Sequence, residues 1–125
     1  MNREEILSLD TSRKVFNYVV NHMKTQGCQS MRQHEPDECA YRGANGTSCA
    51  VGCLILDEEY NPNMEYRTLE EVISGIPRLH QFNDLLYSLQ MFHDNPGNWG
   101  RSNIHGTFSE HGLHVLKEIS KKYVD

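Results

Sequence analysis

Three of the four cysteines, Cys39, Cys49 and Cys53, fall in one stretch that turns at Gly43-Ala44-Asn45-Gly46. Thiolates hold zinc and attack carbonyl carbon, so cysteines gathered by a turn are the first candidates for chemistry. If Cys49 and Cys53 share a helix, their i, i+4 spacing puts both sulfurs on one face while Cys39 comes back across the turn. Cys28 or His34 would then complete a tetrahedral Zn²⁺ site. The spacing is not that of a zinc knuckle, because neither pair is separated by two residues. Free cysteine is also among the most frequently buried side chains, so small apolar packing accounts for the same residues.

A nucleophile is the second chemistry these residues could support. Cys49 falls just inside an expected helix N-terminus, where free amides lower a thiol's pKa and can receive an oxyanion. His93 is the candidate base, with Asp94 or Asp84 to orient it, and the set would make a Cys/His-dependent hydrolase or transferase. A histidine in the last turn of a helix also interacts well with the C-terminal carbonyls, and Asp94-Asn95-Pro96-Gly97 is a good turn without catalysis. His105-Gly106-Thr107 supplies only one half of a two-histidine phosphoesterase pattern, and no glycine loop has the phosphate-cradling spacing.

Aromatic and arginine side chains suggest binding rather than reaction. Trp99 and Arg101 lie in a Gly/Asn/Pro loop, where such residues anchor interfaces, although a Trp99 that folds back to plug the core is the favoured alternative to exposure. Tyr41, Arg42 and Tyr60, with Tyr66 and Arg67, could form a contact surface or pack a hairpin.

These residues must be positioned by one domain, 1–125, since a chain of 125 residues does not split. With net charge -5 and its 12 basic residues scattered, the chain has no stripe to neutralise phosphate, which argues against direct nucleic-acid binding. No apolar run approaches membrane-spanning length, and the charged amino terminus is unlike a signal peptide, so a cytoplasmic setting with reduced thiols is expected.

Periodicity predicts a mainly α (α+β) fold: a compact domain of three main helices, with short helices and one small β-hairpin. The first main helix runs over 11–26, with Val15, Phe16, Val19 and Met23 as its apolar face, and stops at Gly27. Asn45-Gly46 predicts a hairpin between Tyr41-Arg42 and Thr47-Ser48. A short buried helix is expected from Cys49, ending before Pro62. Thr68-Leu69-Glu70-Glu71 is a capping box opening a short helix to about Ser74, and apolar spacing predicts the second main helix over 79–93. A second box, Thr107-Phe108-Ser109-Glu110, opens the last helix, which should bury Leu113, Leu116, Ile119 and Tyr123. Leftover apolar helix surface could support a homodimer.

The pattern Gln26-Gly27, Ser30, Cys39-Ala40-Tyr41-Arg42, Gly46, Cys49-Ala50-Val51-Gly52-Cys53-Leu54-Ile55, Asp57-Glu58, Tyr60, Met64-Glu65, Leu89-Gln90 and His93-Asp94-Asn95 resembles a group of small proteins encoded by bacteriophages and prophages. Where those proteins usually carry Pro after the Leu-Ile pair, this chain has Leu56. The resemblance implies an accessory phage product in a bacterial cytoplasm, of the kind that binds and modulates or inhibits a host or defence-system protein. That is the leading expectation, ahead of the Cys49/His93 enzyme and of a zinc-stabilised interaction scaffold.

Overall fold

A computed structural model describes residues 3–35, 38–100 and 108–124. The chain is mainly helical: α1 (Arg3–Leu7), α2 (Ser12–Gln26), α3 (Leu69–Ser74), α4 (Asn83–Asp94) and α5 (Glu110–Tyr123), linked by 3₁₀ turns. None of its helices is long and apolar enough to cross a membrane, among the described residues.

α2 forms as its pattern predicts. Thr11 caps it by accepting the Lys14 amide, and Gly27 at φ 79° ends it by donating to the Met23 carbonyl; the left-handed conformation there favours glycine. Val15, Val19 and Met23 are buried against α4. α3 carries the complete Thr68/Glu71 capping box. α1 was not foreseen: it is too short for periodicity to reveal, and it docks through buried Ile6 and an exposed Arg3–Glu58 ion pair.

Several expectations are corrected. The single helix over 79–93 is a 3₁₀ segment, Pro77–Phe82, running into α4. In a 3₁₀ turn positions i and i+3 eclipse, which puts Leu79 and Phe82 together in the core. The last helix is capped by Ser109, which accepts the Gly112 amide and donates to the Gly97 carbonyl at 2.6 Å. Thr107 lies outside the described residues. α5 buries Gly112, Leu116 and Ile119 and leaves Leu113 exposed. Gly112 explains that rotation, since a Cβ there would stand 2.1 Å from the Asn98 carbonyl oxygen, so only this face approaches so closely.

The expected two-stranded hairpin is reduced to one isolated antiparallel bridge, Arg42–Ser48, across a loop with Asn45 at φ 59° and Gly46 at φ 73°. It does not extend because the Tyr41 amide, which would continue the ladder, goes with the Arg42 amide to the Glu65 carboxylate, at 2.9 and 3.0 Å, and the Cys49 carbonyl accepts the Cys53 amide instead. The helix expected from Cys49 is a turn followed by a 3₁₀ segment, Gly52–Leu54. It stops because Arg78 takes the Leu54 carbonyl and Arg42 the Ile55 carbonyl, groups that a continuing helix would have used.

Candidate functional site

Cys49 and Cys53 flank this turn as packing residues. The Cys49 sulfur accepts the Gly52 amide at 3.3 Å, in the manner of an N-cap, and the Cys53 thiol donates to the Ala50 carbonyl at 3.1 Å. Both are buried. Burial pushes the Cys49 thiol up to about 12, against the smaller opposing effect of the Gly52 amide, and burial drives Cys53 well above its ordinary value. A nucleophile needs the thiolate, and this environment suppresses it.

His93 is wholly buried at the end of α4. Its Nε2 accepts the backbone amide of Ser30 at 2.9 Å, and its Nδ1 faces Asp94 Oδ1 at 2.8 Å. A backbone amide can only donate, so the ring proton is fixed on Nδ1 and is given to Asp94. Gln90 donates to the same carboxylate oxygen at 3.0 Å and accepts the Val51 amide with its own oxygen at 3.1 Å. His93 thus has no free lone pair with which to act as the base for Cys49.

The same tautomer bears on metal binding. Among the described residues the ligand atoms of Cys39, His93 and Asp94 lie within 4.8 Å of one another. Cys28, Cys49 and Cys53 join no such group, which corrects the four-cysteine arrangement, and Cys39 instead sits across from Met31, sulfur to sulfur at 3.8 Å. An ion on His93 Nδ1 would displace the ring proton to Nε2, against the Ser30 N–H. Only Cys39 and Asp94 then keep lone pairs for it, two short of a tetrahedral site.

These groups converge on a cavity of about 250 Å³ lined by Cys39, Tyr41, Cys49, Gln90 and Asp94, with Leu69, Glu65, Arg32 and Arg67 also on its wall. The thiol of Cys39 is raised to about 12, by burial first and then by the charge of Asp94. Tyr41 is raised by burial, then by Cys49, Asp94, Glu65 and Glu71.

Around the mouth, Glu65 organises an aromatic and cationic rim. Besides the Tyr41 and Arg42 amides, its carboxylate accepts the Tyr60 hydroxyl at 2.6 Å, and its carbonyl accepts from Arg32. Tyr60 is raised to about 12 by burial and then by that bond. Arg42 lies over the Tyr60 ring at 4.4 Å and Arg32 over Tyr66 at 5.0 Å. Sequence reasoning gave a binding role to Tyr41, Arg42 and Tyr60 but none to Glu65 and Gln90, which entered only through the resemblance pattern. Gln90 was legible as a polar residue on the buried side of α4, beside Leu86, Leu89 and His93; nothing local marks Glu65.

Trp99 is not a surface anchor. It is buried, donates its indole N–H to the His93 carbonyl at 3.0 Å, and meets Phe108 at a 5.3 Å centroid distance. Arg101 lies outside the described residues. No protein-family model matches the chain, and neither a curated protein nor a solved structure is significantly similar to it.

Proposed function

We propose that this protein is a binding module that captures another protein through the Tyr/Arg rim and acts by covering that partner's surface. The observation that carries this reading is the pre-stacked pair Arg32 and Tyr66. Tyr66 is 79% exposed, the most exposed large apolar side chain among the described residues, yet it is held against a guanidinium that is itself tied to the Glu65 carbonyl. Tyrosine and arginine dominate interface energetics, and side chains already immobilised lose less entropy on binding. Arg67 extends the rim, beside Tyr66 in the chain and lining the cavity below.

The phage-protein resemblance favours a bacterial host or defence protein as the partner, met in the cytoplasm. The test is capture from bacterial lysate by wild-type protein, Tyr66→Ala and Arg67→Glu, with urea midpoints measured in parallel. A stoichiometric partner retained by wild type and lost by both variants, at unchanged midpoints, is the expected result. A partner held equally by all three refutes the rim, and the absence of any stoichiometric partner refutes the reading.

A further inference from the structure

We infer that the cavity beneath the rim receives the ammonium group of a lysine side chain from the partner, with Asp94 as its counter-ion; the identity of the donor rests on the protein-binding reading, while the cation site itself does not.

Asp94 is the last residue of α4. The C-terminal end of a helix carries the negative pole of its dipole, so it favours cations and disfavours an acid. The carboxylate is nevertheless held firmly there, by the His93 ring N–H and the Gln90 amide, both on Oδ1, and by the Cys39 thiol. Those donors are neutral in this arrangement, so they orient the charge without cancelling it. Among the described residues no lysine or arginine pairs with Asp94, although its side chain is 43% exposed and lines the cavity.

The groups around the cavity feel this charge. Cys39, Cys49 and Tyr41 all hold their protons more tightly, chiefly through burial, and in each case Asp94 adds to the effect. Two guanidiniums, Arg32 and Arg67, line the same cavity. Arg32 is committed to Glu38 at 2.7 Å and Glu35 at 3.5 Å. Asp94 therefore lines the cavity as a carboxylate with no lysine or arginine as ion-pair partner among the described residues.

Size and walls select the kind of cation. About 250 Å³ is below the range of drug-sized ligand pockets and suits one inserted side chain. Tyr41 and Leu69 offer apolar wall to a methylene stem, while Asp94 meets the head. A compact ammonium on a flexible stem matches this better than a planar guanidinium, which needs a bidentate acceptor where one carboxylate oxygen is already doubly engaged. The net charge of -5 also favours a basic partner surface.

The probe is n-butylammonium, titrated at constant ionic strength while NMR follows the Gln90 side-chain amide and the His93 ring N–H, with 1-butanol as the neutral counterpart. Saturable shifts with the ammonium and none with the alcohol are expected, weakened about tenfold or more in Asp94→Asn, which keeps an oxygen for both donors. Should that variant not fold, the ammonium-against-alcohol comparison on wild type decides alone. No saturation, equal response to both probes, or an unchanged folded Asp94→Asn overturns the proposal. So does Zn²⁺ that displaces butylammonium and releases the Cys39 proton, since the cavity would then be a metal site. Rim variants that lose their lysate partner while wild type ignores butylammonium sink this inference and leave the binding module standing. The reverse pattern leaves the cation site and sinks the partner reading.

Discussion

Replacing Glu65 with glutamine tests whether one carboxylate shapes both the rim and the cavity wall. The side chain accepts three bonds: the Tyr41 amide on Oε1, and the Arg42 amide with the Tyr60 hydroxyl on Oε2. Glutamine has one acceptor oxygen, so whichever way it turns, one backbone N–H faces its NH₂ group. An orphaned, partly buried donor costs about 1–3 kcal/mol, and loss of charge on the surviving bonds adds about 1 kcal/mol. Glu65→Gln should therefore lower unfolding free energy by about 2–4 kcal/mol, a large part of the roughly 5–15 kcal/mol typical of a domain. Equilibrium urea unfolding reads this as a lower midpoint at unchanged slope. Tyr60→Phe alone should cost about 1 kcal/mol and add little on top of Glu65→Gln, because its acceptor is then already compromised. A Glu65→Gln loss below about 0.5 kcal/mol, within the range of ordinary surface changes, would refute the assignment.

Gly112→Ala gains about 1 kcal/mol of helix propensity but drives a Cβ to 2.1 Å from the Asn98 carbonyl oxygen, a backbone atom that cannot swing away. A net loss of about 1–3 kcal/mol is expected, seen as a lower melting temperature; a rise would show that α5 slides freely on its neighbour. The cysteines predict alkaline sensitivity. Cys49 is raised from 9.0 to about 12 in the fold, so its stabilising contribution is complete below pH 9 and is lost as pH climbs toward 12, where the unfolded chain releases its proton first. Urea midpoints should fall across that window, less steeply in Cys49→Ala. At neutral pH a thiol reagent should find Cys49 and Cys53 only after unfolding, and rapid native labelling of either would contradict their burial.

Much of the helical frame was legible because its signals are local. Thr11, Gly27 and the Thr68/Glu71 box mark helix ends by capping chemistry that needs no distant partner. The turn from Cys49 to Leu56 was not, since a run apolar on every side gives no period, and its outcome is set by Arg42 and Arg78 taking its carbonyls from elsewhere in the chain. Asn45-Gly46 correctly announced a tight reversal. Whether strands grow from it depended on Glu65, which lies 24 residues beyond Tyr41 and 23 beyond Arg42 and is invisible to any turn rule. The candidate site shows the same division. Cys39, Tyr41, Cys49 and Asp94 were named from residue type, and they do line one cavity. Their roles could not be read, because burial, not spacing, keeps the thiols protonated, and a single amide from Ser30 decides which nitrogen of His93 bears its proton.

The end of α4 is where stability and function can be told apart. Its last carbonyls are taken by side chains from separate segments: Asn98 holds that of Phe92, while Trp99 and Gln29 hold that of His93, each at 3.0 Å. A helix terminus whose Phe92 and His93 carbonyls already have donors does not need an acid to hold them, and a carboxylate beside the negative pole is unfavourable by about 0.3–1 kcal/mol. Against this stands the charge assistance it lends to the His93 and Gln90 bonds, worth about 1 kcal/mol. The two effects nearly cancel, so Asp94→Asn should leave unfolding free energy within about 1 kcal/mol of wild type while cation binding weakens about tenfold or more. A drop greater than about 2 kcal/mol would instead make Asp94 the structural hub of the Ser30, His93 and Gln90 network. In that case the acid would be at the helix end for the fold, and the cavity's negative interior would be a by-product of packing rather than a site.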